Sequence, residues 1–137
     1  MNRKDFQELA ALRLKEARIL LRDDCWEGAY YLAGYVAECA LKACIARQTE
    51  RHDFPDKKRV VDSHTHNLTG LLQLAGLTKA LKQAEQIHPE LHTNWVIVAD
   101  WFEVSRYARP SQEDAENLLR ALAERKHGVL GWLKQHW

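Results

Sequence analysis

Apolar residues divide the chain into helical segments. From residue 4 to 22, Phe6, Leu9, Ala10, Leu14, Ala17, Leu20 and Leu21 recur at three- and four-residue intervals, with Glu8, Lys15, Arg18 and Arg22 mostly off the stripe. That spacing predicts a first amphipathic helix. Arg13 falls inside the stripe. It sits either at the edge with its head in water or paired with a buried acid, and Glu38 is the most interesting such partner. Asp23 to Glu27 reads as a short turn, and Asp24 with Glu27 has the spacing of a capping box. A connection this short makes the first two helices antiparallel neighbours.

Trp26 to Ile45 is the longest mostly apolar stretch and contains no proline. It is too long for an ordinary strand, so it predicts a second helix, running to about Arg47. At 3.6 residues per turn, Ala29, Ala33, Val36, Ala37, Ala40, Leu41 and Cys44 share one broad face. Tyr31, Tyr35, Glu38 and Lys42 form a narrow line on the opposite side. A helix apolar around most of its circumference belongs at the centre of its fold. Core packing leaves the Tyr/Tyr/Glu/Lys line unexplained.

Residues 48–63 are charged, carry Pro55 and predict the only long irregular stretch. It reads either as a mobile surface loop or as a basic loop that meets phosphate or a partner. Leu68, Leu71, Leu72 and Ala75 then predict a short helix that Gly76 ends. Leu77, Leu81, Ala84 and Ile87 predict another, closed by His88-Pro89. A third long helix is expected from about Glu90 to Tyr107, with Trp95, Ile97, Val98, Trp101, Phe102 and Val104 on a wide apolar face. Ser111 caps the last helix, with Asp114 at its third position. Its stripe is Ala115, Leu118, Leu119, Leu122, Val129, Trp132 and Leu133. No strand pattern, internal repeat or linker breaks the series. The expected fold is all-α: one domain over residues 1–137, an up-and-down bundle of four long helices with one or two short ones between the second and third.

Composition narrows the function classes. Of 137 residues, 46% are hydrophobic and 28% charged, an ordinary globular balance. The formal net charge of +1 gives no global electrostatic pull toward nucleic acid or an acidic membrane. Cys25, Cys39 and Cys44 are odd in number and lack C-x-x-C spacing, which points to small buried hydrophobes in a reducing compartment. The charged segment after Met1 does not read as a signal peptide, and Glu38 and Lys42 interrupt the only stretch long enough to suggest a membrane span. A cytoplasmic location, with no membrane association, is expected.

Three kinds of chemistry compete for the polar residues. His64 with His66, and His88 with His92, have spacings seen in metal sites, but Pro89 interrupts the second pair and no third ligand fits, so no metal or other cofactor is expected. Metal-free RNA cleavage needs a His as acid or base and a cation for the developing phosphorane charge, and Arg47 with His52 supplies both five residues apart. Arg106 and Tyr107 leave the third long helix near Trp95, Ala99 and Phe102. They suit either a base- or phosphate-binding groove, or a helix-terminal Arg that meets the dipole or pairs with Glu38. The Tyr31/Tyr35/Glu38/Lys42 line suits a homodimer face equally well.

The run Ala29-Tyr30-Tyr31-Leu32-Ala33-Gly34-Tyr35-Val36-Ala37-Glu38-Cys39-Ala40-Leu41-Lys42-Ala43 resembles the signature helix of the HEPN family, the nucleotide-binding domain of higher eukaryotes and prokaryotes. His66-Asn67-Leu68 with Leu71-Leu72 resembles the family's His-x-Leu start of a short helix. Asn94-Trp95, Trp101 and Arg106-Tyr107 resemble its third long helix and exit. The likeness spans nearly the whole chain. It implies a bundle of four long helices plus a shorter one, often dimeric, that binds nucleotide or RNA. It also implies a minimal nucleotidyltransferase as partner, within a toxin–antitoxin pair. Some members are metal-independent ribonucleases that use an Arg followed a few residues later by His near the end of a long helix. After Arg106 no such His occurs, and Arg47 with His52 follows the wrong helix. The resemblance therefore points to a non-catalytic binding module with Arg106, Tyr107, Glu38, Lys42, Tyr31 and Tyr35 at its ligand site or interface. An endoribonuclease toxin and a purely structural homodimeric domain are the alternatives.

Overall fold

The computed structural model describes residues 1–51, 65–101 and 109–137. Among them every regular element is a helix: α1 (Arg3–Arg22), α2 (Trp26–Arg51), α3 (Leu68–Leu74), α4 (Thr78–Ile87), α5 (Pro89–Ala99), α6 (Gln112–Ala123) and α7 (Val129–Lys134). None is long and apolar enough to cross a membrane.

Local chemistry accounts for the helix ends. At the start of α1, Asn2 accepts a hydrogen bond from the Asp5 amide and Asp5 accepts one from the Asn2 amide, a reciprocal capping box. The expected box at Asp24 and Glu27 does not form. Asp24 instead takes a left-handed backbone with φ of 61°. From there the Asp24 amide donates to the Leu21 carbonyl (3.2 Å) and the Cys25 amide to the Leu20 carbonyl (2.8 Å). This is a Schellman ending, and a short polar Asp tolerates the left-handed position better than most residues. The turn reverses the chain. Arg3, at the start of α1, pairs with Glu50, near the end of α2, at 3.5 Å. At the other end Leu20 lies against Gly28. The two helices are therefore antiparallel.

α2 runs through Arg51, beyond the expected end near Arg47. Every residue on its predicted apolar face is buried, and the helix also buries Cys39, Ala43 and Ile45. It packs against α1, α3, α6 and α7. Leu68, Leu71, Val98, Leu118, Leu122 and Leu133 complete the core around it. Asn67 caps α3 through the Gly70 amide, and Gly76 ends it in the left-handed region at φ 71°. Pro89 opens α5 at the helix start, where its missing N–H costs nothing. α5 ends at Ala99, short of the expected Tyr107, and residues 102–108 lie outside the described residues.

The last predicted helix is two helices. Ser111 and Asp114 form the expected capping box for α6, but the helix stops at Ala123. The Glu124 carboxylate accepts from the Lys126 amide at 3.2 Å and the His127 amide at 2.5 Å, and its carbonyl accepts from the Gly128 amide at 2.9 Å. These bonds close a tight turn that restarts the chain as α7. The amides from His127 and Lys126 hold the Glu124 carboxyl below its usual range. A side chain at Gly128 would meet the Glu124 carbonyl at 2.3 Å, so the turn requires glycine there.

Candidate functional site

The polar line of α2 is the centre of a built cluster. Glu38 is only 5% exposed, the sole buried charged residue among those described. A carboxylate this deep needs partners, because desolvation disfavours its charge. It has two. His66 Nδ1 lies 2.5 Å from Glu38 Oε1, and Lys42 Nζ lies 3.5 Å from Glu38 Oε2, one turn along the helix. The Lys42 side chain is 16% exposed and that of His66 38%, so the cluster opens outward at the imidazole.

Aromatic rings frame that opening. Tyr35 meets Tyr31 edge to face at 5.1 Å, His66 at 5.9 Å and Trp101 at 5.2 Å. The Tyr31 and Tyr35 hydroxyls are hydrogen-bonded at 3.1 Å. Edge-to-face pairing at these separations is favourable and fixes ring orientation. Gly34 lets the Trp101 indole lie on the α2 backbone, since a Cβ there would fall 1.8 Å from Trp101 Cε2. Trp101 is fully buried, and its Nε1 has no hydrogen-bond partner among the described residues.

Tyr31, Tyr35, Glu38 and Lys42 thus come together as the helical spacing predicts, although Glu38 is a buried anchor and not an exposed member of a polar stripe. Arg106, Tyr107 and His52 lie outside the described residues. Arg47 does not join the cluster. It lies nine residues past Glu38, about 13 Å along the helix axis. There it acts on His136, whose pKa burial lowers and the nearby Arg47 charge lowers further. Arg13 does not reach Glu38 either, and pairs with Glu16 on its own helix. The residue that spacing alone misses is His66. It lies 28 positions from Glu38; its spacing to His64 suggested only metal, and the family likeness gave it only as the start of a short helix.

The cysteines carry no reactive thiol into this site. Burial, with the Glu38 charge adding to it, pushes Cys39 up to about 11. Burial pushes Cys44 up to about 12. All three thiols are free, and Cys25 alone is exposed. Of the two histidine pairs, only His88 and His92 lie wholly among the described residues, and their side chains go to different partners. His92 bonds Glu85, His88 rests its ring on His127 at 5.2 Å, and His64 lies outside the described residues. Among the described residues no three His, Cys, Asp or Glu side chains are grouped to hold an ion.

No family model, curated protein or solved structure matches the chain.

Proposed function

We propose that the chain is a HEPN-type module that binds nucleotide or RNA, a minimal nucleotidyltransferase, or both, as one half of a toxin–antitoxin pair. In this reading it is a cytoplasmic homodimer, and its long helices form an up-and-down bundle of four. The observation that carries the proposal is the Glu38–His66 bond. It joins the two segments on which the family likeness rests, Glu38-Cys39-Ala40-Leu41-Lys42 and His66-Asn67-Leu68. Glu38 itself is too buried to touch a ligand, so its role is to position His66 and Lys42. The ligand contacts fall to His66, Lys42 and the half-buried Tyr31 and Tyr35, with Arg106 and Tyr107 as further candidates from the sequence. An imidazole and an ammonium beside two phenol rings provide phosphate donors next to stacking surfaces.

The test is binding of ATP and of a single-stranded RNA in EDTA, with wild type compared to Lys42→Ala, His66→Ala and Arg106→Ala. The expected result is binding without cleavage, weakened by about tenfold in at least the Lys42 and His66 variants. RNA cleavage in EDTA would replace this reading with the endoribonuclease one. Equal affinity in all four proteins would overturn the assigned site. The deep burial of Glu38 favours one second reading, in which the cluster only ties α2 to the start of α3. That domain would dimerise and bind neither ligand.

A further inference from the structure

The outer surface of the molecule carries a second feature, away from Glu38. A groove of about 390 Å³ lies between α1 and α7. Four exposed cations line it: Lys15, Arg18 and Arg22 on α1, and Lys134 on α7. No acidic side chain lines it, although the whole chain carries a net charge of only +1. Among the described residues none of the four cations is in an ion pair. Between them lie Leu14, Ile19, Leu130 and Trp137. Leu130 is buried, and Ile19 is one of the few exposed large apolar side chains of the protein.

The site is held in shape. Arg3 and Gln7 donate to the Trp137 main-chain oxygen, at 2.9 Å from Arg3 Nε and 3.1 Å from Gln7, which fixes that end of the groove against α1. Lys134 Nζ lies 5.6 Å from the centre of a Trp137 ring. A groove formed in advance costs little ordering on binding.

We propose that this groove docks an acidic amphipathic helix of a partner protein. The α1 lining runs from Ala11 to Arg22, about 16 Å of helix axis, or three turns. Helices dock into grooves through apolar residues spaced over such a length. The aliphatic floor matches an apolar stripe, and the cations match acids flanking it. Single-stranded nucleic acid fits less well. It needs free aromatic platforms for its bases, and Trp137, the one aromatic here, already lies beneath Lys134. A membrane surface fits less well too, because Leu130 is buried and Leu14 and Trp137 are half-buried, which leaves Ile19 alone to insert into a bilayer.

The experiment uses the full chain and a fluorescein-labelled synthetic peptide of about 18 residues, roughly five helical turns, with Leu along one face and Glu beside it. The competitors are a peptide with Lys for Glu, a single-stranded RNA, and vesicles containing phosphatidylserine. Saturable binding of the acidic peptide is expected, with no displacement by the three competitors. The double variant Arg18→Glu/Arg22→Glu, on exposed positions, should weaken binding about tenfold while the circular dichroism spectrum is unchanged. Ile19→Ala should weaken it as well, which a purely electrostatic surface would not show. Absence of saturable binding, equal affinity in the charge-reversed protein, an unaffected Ile19→Ala variant, or displacement by RNA or vesicles would each overturn the proposal. The reading of the Glu38 site does not depend on the outcome, since neither Arg18, Arg22 nor Ile19 touches that cluster.

Discussion

The Glu38 cluster and the α1–α7 groove place charge in opposite ways on adjacent helices. Glu38 is buried, and Lys42 and His66 both meet it. Lys15, Arg18, Arg22 and Lys134 are exposed around an apolar floor, and no acidic side chain lines their groove. The difference follows from solvation. A charge taken out of water must find its partners inside the fold, so its geometry is fixed and its loss is expensive. A charge left in water costs the fold nothing and stays available to a partner. The first arrangement holds the helices together and orients an imidazole. The second stores complementarity for another molecule.

This contrast breaks first at Glu38. Glu38→Ala leaves Lys42 nearly buried without its counter-charge and should cost about 3 kcal/mol in chemical denaturation. A loss under about 1 kcal/mol would mean that the cluster is loosely solvated. Gly34→Ala tests the aromatic wall of the same region. The added methyl overlaps the Trp101 indole, and overpacking of this kind should cost about 2 kcal/mol, read as a lower denaturation midpoint. Ser111→Ala removes the cap of α6, a residue of neither the Glu38 cluster nor the groove lining, and sets a reference of about 1 kcal/mol. On the groove side, Arg18→Glu should change stability by less than about 0.5 kcal/mol, since it sits exposed and unpaired. A large loss there would show that the groove cations serve the fold after all.

The thiols sharpen the contrast by rate and by pH. In the native state at pH 8, a thiol reagent should label Cys25 at once, with Cys39 and Cys44 reacting only on unfolding. The raised values of the two buried thiols also set a sign. In the folded chain they keep their protons, while the unfolded chain releases them from about pH 9.0. Their contribution to stability is therefore complete below pH 9.0. It falls as pH rises toward about 11 for Cys39 and about 12 for Cys44. Replacing both by Ala should flatten that part of the alkaline stability profile.

What the sequence made legible follows the range of each interaction. The apolar periods of α1 and α2, the Ser111 cap and the Gly76 stop depend on neighbours within a turn or two, and all are found where the spacing puts them. The break between α6 and α7 was hidden because Leu122 and Val129 are seven residues apart, which continues a helical stripe in register. Only the backbone bonds of Glu124 and the room left by Gly128 end the helix there. Asp24 has the composition of an N-cap and serves as a left-handed C-terminal residue, a choice decided by which helix needs its end closed. The Tyr31, Tyr35, Glu38 and Lys42 line was legible as a line. Its burial and its joining to His66 were not, because a contact across 28 residues leaves no periodicity. The groove was invisible for the same reason, since Arg18 and Lys134 come from opposite ends of the chain.

The central claim, that Glu38 orients His66 and Lys42 toward a nucleotide or RNA ligand, is tested most directly by amide and side-chain NMR during titration with ATP and with a single-stranded RNA. Saturable shifts are expected at Tyr31, Tyr35, Lys42 and His66, lost in His66→Ala, with the resonances of Arg18 and Leu130 unmoved. No saturable shift at the four residues, or shifts confined to the α1–α7 groove, would contradict it.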